Sequence, residues 1–244
     1  MSEWHEKQAR WESFREKRPE LSDHTRALWE VDRARTLTTA RAILASAPGL
    51  VVDVGTGHTD LGRDLAERAT GYLAIDPTPG REDEQLERCW LLAGMGEALP
   101  LRDGCARLIM LRASLDHMED DVGALREARR VLAPHGRILV TLSNRRALLN
   151  HLRRLRSLIR RRPVYQHLDQ HLRYYSLEDL RKVARAADLR VLSCESYLYL
   201  PRSSLVSRIE ARAPWVFSGP ARVLDPLLAR GDVFLAVLGA GSQA

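Results

Sequence analysis

The sequence contains few cysteine and aromatic residues, and it has no long hydrophobic run. Its three cysteines, Cys89, Cys105 and Cys194, form no close pair of the type that binds metals. The longest apolar runs are short, like the one that starts at Leu91, whereas a transmembrane helix needs about 20 residues. Residues 1–17 are charged throughout and lack the apolar core of a signal peptide. We therefore expect no disulfide framework, metal site or membrane span, and a protein of the reducing cytoplasm.

The composition is that of a globular protein, and its basic charge is local. Apolar residues make up 45% and charged residues 29% of the 244 residues, which suits one large α/β domain. Eight of the arginines lie between Arg145 and Arg162, in a stretch without any acidic residue. The rest of the chain has 30 basic and 32 acidic residues, so the net charge of +6 is a property of this stretch alone.

Short apolar strands alternate with amphipathic helices from residue 50 onward. Strands are predicted near residues 50–54, 72–75, 91–92, 108–111, 137–142, 189–199 and 232–238. Helices are predicted at 3–17, 22–47 and 60–70, from 119 with Val122, Leu125, Ala128 and Leu132 on one face, and at 177–187 behind a Ser176–Asp179 capping box. This alternation predicts an α/β fold with parallel strands and helices on both faces of the sheet.

The first strand runs into a glycine-rich turn with the sequence VVDVGTGHTD, residues 51–60. Gly55 and Gly57 permit a tight turn and a close approach of the backbone to a ligand, and the following helix offers free N–H groups. Asp76 ends the second strand 23 residues after Asp53, where an acid can accept both ribose hydroxyls of a nucleoside. A purely structural turn, and a turn-forming Asp before Pro77, are the alternatives.

Two further segments carry a resemblance to a known family. They are GMGEALPLRDGCARLIMLRASLDHMED, residues 94–120, and REARRVLAPHGRILV, residues 126–140. Together with the glycine turn, they resemble the type 11 branch of class I S-adenosylmethionine-dependent methyltransferases, over about residues 48–142 and more weakly over 171–191. The resemblance implies a Rossmann-like, seven-stranded, mostly parallel sheet with the seventh strand antiparallel beside the fifth. It also implies an N-terminal helical cap over residues 1–47 and a core over 48–244, with insertions at about 145–175 and 201–230.

The same resemblance implies a site for S-adenosylmethionine. The turn of Asp53, Gly55, Thr56 and Gly57 would approach the methionine part of the cofactor, and Asp76 would bind the ribose. Met95, Gly96 and Glu97 would flank the adenine, and Arg112, Ala113 and Ser114 would line the pocket after the fourth strand. A side chain added at Gly55 is expected to occupy the ligand's space and not the core.

Four residues depart from the family pattern. Thr59 stands in place of the third glycine, and Met95 replaces the acid that commonly binds the adenine amine. Arg107 replaces an Asp that opens the fourth strand, and His135 replaces the first of two glycines. These departures predict a weaker cofactor site, and they keep open a catalytically inactive binding or scaffold protein of the same fold.

The expected reaction is methyl transfer to an oxygen or nitrogen of a small molecule, such as a glycan, a lipid-linked saccharide or a secondary metabolite. The sulfonium already activates the methyl group, so a general base is needed only when the nucleophile must lose a proton. His117 and His171 are the candidate bases, with structural roles as their alternatives. His167, Asp169 and His171 lack a further close ligand, so no metal site is expected there.

The arginine-rich stretch has Leu148, Leu152, Leu155 and Ile159 at helical spacing. Such a basic amphipathic helix suits peripheral contact with an anionic membrane or another polyanion through Arg145 to Arg162. The alternative is a lid whose leucines pack on the core while the arginines are solvated. A nucleic-acid-modifying or nucleic-acid-binding protein ranks lower, because the rest of the chain is slightly acidic and contains no recognisable nucleic-acid module.

Overall fold

The computed structural model describes residues 23–56, 61–78, 87–147, 173–197, 212 and 233–241. Seven strands form one sheet in the order β3-β2-β1-β4-β5-β7-β6. The strands are β1 (Leu50–Val54), β2 (Gly71–Asp76), β3 (Cys89–Ala93), β4 (Ala106–Arg112), β5 (Leu132–Ser143), β6 (Leu189–Tyr197) and β7 (Val233–Ala240). All neighbouring pairs are parallel except those of β7, which runs antiparallel to both β5 and β6. This arrangement confirms the predicted seven-stranded Rossmann-like fold.

Helices cover both faces of the sheet. The described helices are α1 (Asp23–Ser46), α2 (Leu61–Leu65), α3 (Asp121–Val131) and α4 (Leu177–Ala186), with a 3₁₀ helix at Leu115–His117. Residues of α1 and α2 pack in one apolar cluster with one face of the sheet, whereas α3 and α4 pack in a second cluster with the other face. Within the described ranges, no helix is long and apolar enough to cross a membrane.

The central strands consist mainly of apolar residues because both of their faces are covered. In β1, Val51 belongs to the cluster of α1 and α2, whereas Val52 and Val54 belong to the cluster of α3 and α4. Successive side chains of a strand point to opposite faces, so a strand buried on both sides shows no polar alternation. The run of short apolar strands in the sequence follows directly from this double cover.

The predicted surface of α3 was wrong in part. The helix begins at Asp121, because the carboxylate of Asp120 accepts a hydrogen bond from the Gly123 N–H at 2.8 Å. Its buried apolar residues are Ala124, Leu125, Ala128 and Val131, and not the predicted set with Val122 and Leu132. Leu132 is already extended, and it pairs with Ala106 of β4. Strand β5 therefore starts at Leu132, five residues before its predicted start.

The strand order reverses between β1 and β4, and ligands of open α/β sheets bind at such a point, beyond the carboxyl ends of the strands. Val54 pairs with Ile75 in the parallel register of β1 and β2, so Gly55 and Asp76 lie abreast at this edge. Strand β4 pairs with the other side of β1, which brings its last residue, Arg112, to the same edge. The sheet thus brings Gly55, Asp76 and Arg112 to the same edge.

Several predictions fall outside the described residues. These are the helix at 3–17, the segment 201–230, most of the arginine-rich stretch, and the residues Gly57, Thr59, His167, Asp169 and His171. Of the arginine-rich stretch, Arg145 and Arg146 are described, and they pair with Asp179 and Glu178 at 3.0 Å each. Both acids lie in the first turn of α4, whose predicted Ser176–Asp179 capping box is present.

Candidate functional site at the carboxyl edge of the sheet

Gly55 lies in the turn after β1 and packs closely against the turn after β4. Its backbone has a φ of +74°, and its N–H donates to the Ile75 carbonyl at 2.7 Å. A Cβ atom at this position would lie 2.5 Å from Cβ of Ser114. Glycine is therefore needed for both the left-handed conformation and the close approach of two chain segments. The expectation that an added side chain would occupy only ligand space is wrong, since it would first collide with Ser114.

Asp76 is buried at the end of β2 and forms a local turn. Its Oδ1 accepts hydrogen bonds from the Thr78 N–H at 2.9 Å and from the Thr78 hydroxyl at 3.3 Å. These bonds hold the carboxylate at the edge of the sheet, abreast of Gly55. The turn-forming role that the sequence left open is thus real, and it also orients the acid at the predicted site.

The chain leaves β4 through a strained residue. Ala113 has a φ of +44°, which is uncommon for a residue with a side chain, and its N–H donates to the carbonyl and the hydroxyl of Thr141 at 2.9 and 3.2 Å. The strained turn places Ser114 against Gly55. Ser114 is 6% exposed, and its hydroxyl has no hydrogen-bond partner among the described residues.

Arg112 has a buried, charged guanidinium, and only some of its N–H groups form hydrogen bonds with described residues. Its Nη2 donates to Asp32 of α1 at 3.1 Å, and the Tyr197 hydroxyl donates to the other oxygen of Asp32 at 2.6 Å. Burial lowers the pKa of Arg112, but the charges of Asp53 and Asp32 outweigh this and raise it, so the guanidinium stays charged. Its Nε and Nη1 are buried and have no hydrogen-bond partner in the described part of the chain. An unmade hydrogen bond of this kind costs about 1–3 kcal/mol, so these atoms fit a ligand's oxygens.

Two tyrosines that the sequence did not single out support these charges. The Tyr72 hydroxyl donates to Oδ2 of Asp53 at 2.5 Å, within the core. Tyr197 is fully buried, and both its burial and the neighbouring Asp32 raise its pKa, so it remains a neutral donor. Each tyrosine stabilises a carboxylate at the carboxyl edge.

The segment predicted to flank adenine folds as a tight turn beside β1. The Ala98 N–H donates to the Met95 carbonyl at 3.2 Å, and the Glu97 carboxylate accepts from the Glu119 N–H at 3.1 Å. Gly96 is buried, and a Cβ added there would lie 2.6 Å from Cε of Met118. The glycine thus lets the turn pack on Met118 without a gap.

Glu127 and Arg130 of α3 hold the continuation of this segment. Arg130 donates to both oxygens of Glu127 at 2.8 Å, and also to the carbonyls of Leu99 and Leu101 at 3.0 and 2.7 Å. Glu127 in turn accepts from the Leu99 N–H at 2.9 Å. The hydrogen bonds from Arg130 lower the pKa of Glu127. Glu127 and Arg130 of the REARR segment therefore have a local role, because they hold residues 99–101 in place.

His117 lies near the site, at the end of the 3₁₀ helix that follows β4. The residue is half-buried, and its backbone N–H donates to the Ser114 carbonyl at 3.0 Å. The chain returns to this loop at Arg173, whose guanidinium donates to the Met118 and Glu119 carbonyls at 2.7 Å. No group of three or more potential metal ligands occurs among the described residues.

Two of the four departures from the family pattern lie elsewhere. Arg107 and His135 are at the amino edge of the sheet, where Arg107 donates to the His135 carbonyl, to the Ala47 carbonyl at 3.3 Å and to the Ser46 hydroxyl at 2.8 Å. Arg107 therefore connects the end of α1 to the start of β5. The expectation that Arg107 and His135 weaken the cofactor site is not supported by their position.

The chain belongs to a family of methyltransferase domains, whose model matches residues 23–194. The matched range includes β1 to β5, the candidate site and α4. No curated protein resembles the chain in sequence at a significant level.

Solved structures share the fold at low sequence identity. The 1,6-didemethyltoxoflavin-N1-methyltransferase of Burkholderia thailandensis, solved with S-adenosylhomocysteine, aligns with a TM-score of 0.57 at 16% identity over 89% of this chain and 82% of its own. An S-adenosylmethionine-dependent methyltransferase of Mesorhizobium loti aligns with a TM-score of 0.56 at 16% identity over 82% and 95%. The [4+2]-cyclase SpnF aligns with a TM-score of 0.57 at 20% identity over 85% and 80%.

Proposed function

We propose that the protein transfers the methyl group of S-adenosylmethionine to an oxygen or nitrogen of a small molecule. The observation that carries this proposal is the set of buried polar atoms without partners among the described residues at the carboxyl edge, namely Nε and Nη1 of Arg112 and the hydroxyl of Ser114. Native proteins rarely leave such atoms unpaired, so a polar ligand is the simplest explanation. Membership of the methyltransferase-domain family supports the identity of that ligand.

The chemistry of the residues fits each part of the cofactor. The free donors of Arg112 suit the carboxylate of the methionine part, because a guanidinium binds a carboxylate through two parallel hydrogen bonds. Asp76 suits the ribose hydroxyls as a charged acceptor. The turn with Met95, Gly96 and Glu97 offers an apolar side chain and backbone groups for adenine. The relative from Burkholderia thailandensis was solved with S-adenosylhomocysteine, which supports the same ligand here.

In the reaction, the bound cofactor supplies an electrophilic methyl group on its sulfonium. The protein's own task is to align the acceptor atom with that methyl group and to exclude water. His117, half-buried at the end of the 3₁₀ helix, is proposed to accept the proton that a hydroxyl or a protonated amine must lose to become the nucleophile. His171 remains a second proposal for this role. Glycans, lipid-linked saccharides and secondary metabolites are the proposed acceptor classes.

The fold alone does not decide the reaction, because the neighbour SpnF is a [4+2]-cyclase. Binding and turnover therefore need separate measurements. Thermal unfolding with and without S-adenosylhomocysteine measures binding, since a ligand at 100 times its Kd stabilises the folded state by about 2.7 kcal/mol. For a chain of this size we expect the Tm to rise by roughly 5–11 °C. Formation of S-adenosylhomocysteine from S-adenosylmethionine, dependent on an added acceptor, measures turnover.

Asp76→Asn is the sharpest variant for this test. Asparagine retains the oxygen that accepts from Thr78, so the turn survives while the charge is lost. The loss of a charge-assisted bond of about 1.5–3 kcal/mol should weaken S-adenosylhomocysteine binding by roughly 10- to 150-fold. Glu67→Gln, at an exposed position of the same domain, is the matched control and should bind like the wild type.

Three results would contradict parts of the proposal. Equal binding by Asp76→Asn and the wild type removes Asp76 from the site. Failure of the wild type to bind S-adenosylhomocysteine refutes the cofactor and favours an inactive scaffold. Binding without acceptor-dependent turnover, for all three acceptor classes, refutes the proposed reaction while leaving the cofactor site in place.

A further inference from the structure

A cavity of about 530 Å³ lies at the amino edge of the sheet, opposite the candidate methyl-transfer site. Its walls come from the starts of β5 and β6, the end of β7 and the last turn of α3. The lining residues are Gly104, Arg129, Leu132, Ala133, Pro134, His135, Gly136, Arg137, Arg190, Leu192, Gly239 and Ala240. Sites for small molecules commonly have volumes of about 300–1,000 Å³, so the cavity is large enough for one.

The lining of this cavity is basic. Arg129, Arg137 and Arg190 line it, and none of the described lining residues is acidic. Within the described ranges, no carboxylate forms an ion pair with Arg129 or Arg137. Their neighbour Arg130 differs, because it pairs with Glu127 at 2.8 Å and with Asp103 at 2.6 Å. The charges of Arg129 and Arg137 are thus without a paired carboxylate among the described residues.

Two arginines are also placed for ligand binding by their surroundings. Nε of Arg129 is buried, and none of the described residues accepts a hydrogen bond from it. Arg137 is held by the backbone, because its Nη1 donates to the carbonyls of His135 and Gly136 at 2.9 and 2.8 Å. A buried donor without an acceptor and a fixed guanidinium beside it form a built anion site.

We propose that this cavity binds a small molecule that carries a phosphate or diphosphate group. The arginines bind the anion through fork-shaped pairs of donors, and the apolar walls at Leu132, Pro134 and Leu192 contact the rest of the molecule. The site is separate from the methyl-transfer site. Arg137 and Thr141 are four residues apart on β5, which corresponds to about 13 Å along the strand.

Isothermal titration of the full chain with inorganic pyrophosphate tests the proposal. The wild type should bind pyrophosphate, with an affinity that falls as salt is added. Arg129→Gln combined with Arg137→Gln should weaken binding at least about tenfold, because two charged donors are removed. Arg181→Gln combined with Arg185→Gln, on the exposed surface of α4, removes the same charge elsewhere and should leave the affinity unchanged.

The single variant Arg129→Gln leaves the backbone bonds of Arg137 intact, so it keeps the proposal testable where the double variant fails to fold. It should show a smaller loss of affinity in the same direction, because one charged donor group is removed. Arg137→Lys should retain part of the affinity, since a point charge remains. Equal affinities of the cavity variant and the α4 variant would overturn the proposal, because binding would then follow net charge alone. It is also overturned if the wild type binds single-stranded RNA but not pyrophosphate. Binding of S-adenosylhomocysteine should be the same in all of these variants, which keeps this test independent of the proposed methyl transfer.

Discussion

Replacement of Arg130 by methionine would test whether α3 holds residues 99–101 in place, directly after the turn that is proposed to flank adenine. Arg130 donates five hydrogen bonds, two to Glu127, one to Asp103 and one each to the carbonyls of Leu99 and Leu101. Methionine has a similar helix propensity and similar length, so the variant removes the donors without weakening the helix itself. Two carbonyls and the Glu127 carboxylate then lose their cationic partner.

The expected loss of stability follows from the exposure of each partner. The pair with Asp103 contributes little, because the Asp103 side chain is 79% exposed. The bonds to the two carbonyls and to Glu127 are partly buried, and hydrogen bonds to charged groups contribute about 1.5–3 kcal/mol each when solvent is excluded. Since the Arg130 side chain is still 32% exposed, we expect a total of about 2–3 kcal/mol. The Tm should fall by roughly 4–12 °C.

Urea and thermal unfolding measure this loss, with Arg126→Met as the control on the same helix. Among the described residues, Arg126 donates only to the Ala186 carbonyl, at 3.1 and 3.3 Å in an exposed position, so its replacement should cost less than about 1 kcal/mol. Equal losses for Arg130→Met and Arg126→Met would refute the reasoning. Binding of S-adenosylhomocysteine should also weaken in Arg130→Met; unchanged binding in a folded variant would separate residues 99–101 from the ligand.

Three further predictions concern single features. Because the pKa of Glu127 is lowered in the folded protein, its ionised form adds stability that is fully present above the unfolded-state pKa of about 4.3 and is lost as the pH falls through the folded-state pKa. The difference in unfolding free energy between the wild type and Glu127→Gln, measured by urea unfolding, should therefore disappear below about pH 4. A difference that does not depend on pH would argue against the ion pair. Gly55→Ala should lower the free energy of unfolding by about 1–3 kcal/mol, and with it the Tm, even without ligand. Combination with Ser114→Gly should recover only the part of this loss that comes from the 2.5 Å contact, because the positive φ stays unfavourable for alanine. An unchanged Tm would show that the turn can open. Changing Arg153, Arg154, Arg160 and Arg161 to Gln should abolish sedimentation with anionic vesicles at low salt; wild-type protein that fails to sediment would refute the membrane contact and favour a solvated lid.

The order of strands and helices could be predicted because each buried strand is a short apolar run. Strand β1 and the alternation that follows it needed no information from distant residues. The ends of the helices and strands were harder to predict. The start of β5 at Leu132 depends on the pairing of Leu132 with Ala106 of β4, and no local sequence pattern indicates that pairing. The antiparallel position of β7 came only from the family resemblance, since spacing does not show the direction of a strand.

The candidate site was predicted in its positions but not in its partners. A glycine turn and an acid after the next strand are local signals, and Gly55 and Asp76 do lie abreast at the carboxyl edge. Asp32, the hydrogen-bond partner of Arg112, lies 80 positions before it, and Tyr197, which donates to Asp32, lies 85 positions after it. Only the folded chain brings such distant groups together. An arginine at the end of an otherwise apolar strand is the one sequence signal that could have indicated this network.

The two edges of the sheet explain why the departures from the family pattern do not all carry the same meaning. Arg107 and His135 lie at the amino edge, beside the arginine-lined cavity, so they cannot act on the cofactor through direct contact. Met95 lies at the carboxyl edge, in the turn that packs on Met118, so the argument for a lost cofactor site rests on this edge alone. There, Nε and Nη1 of Arg112 argue against such a loss. These buried donors have no hydrogen-bond partner among the described residues, and each unmade hydrogen bond would cost about 1–3 kcal/mol if no ligand bound there.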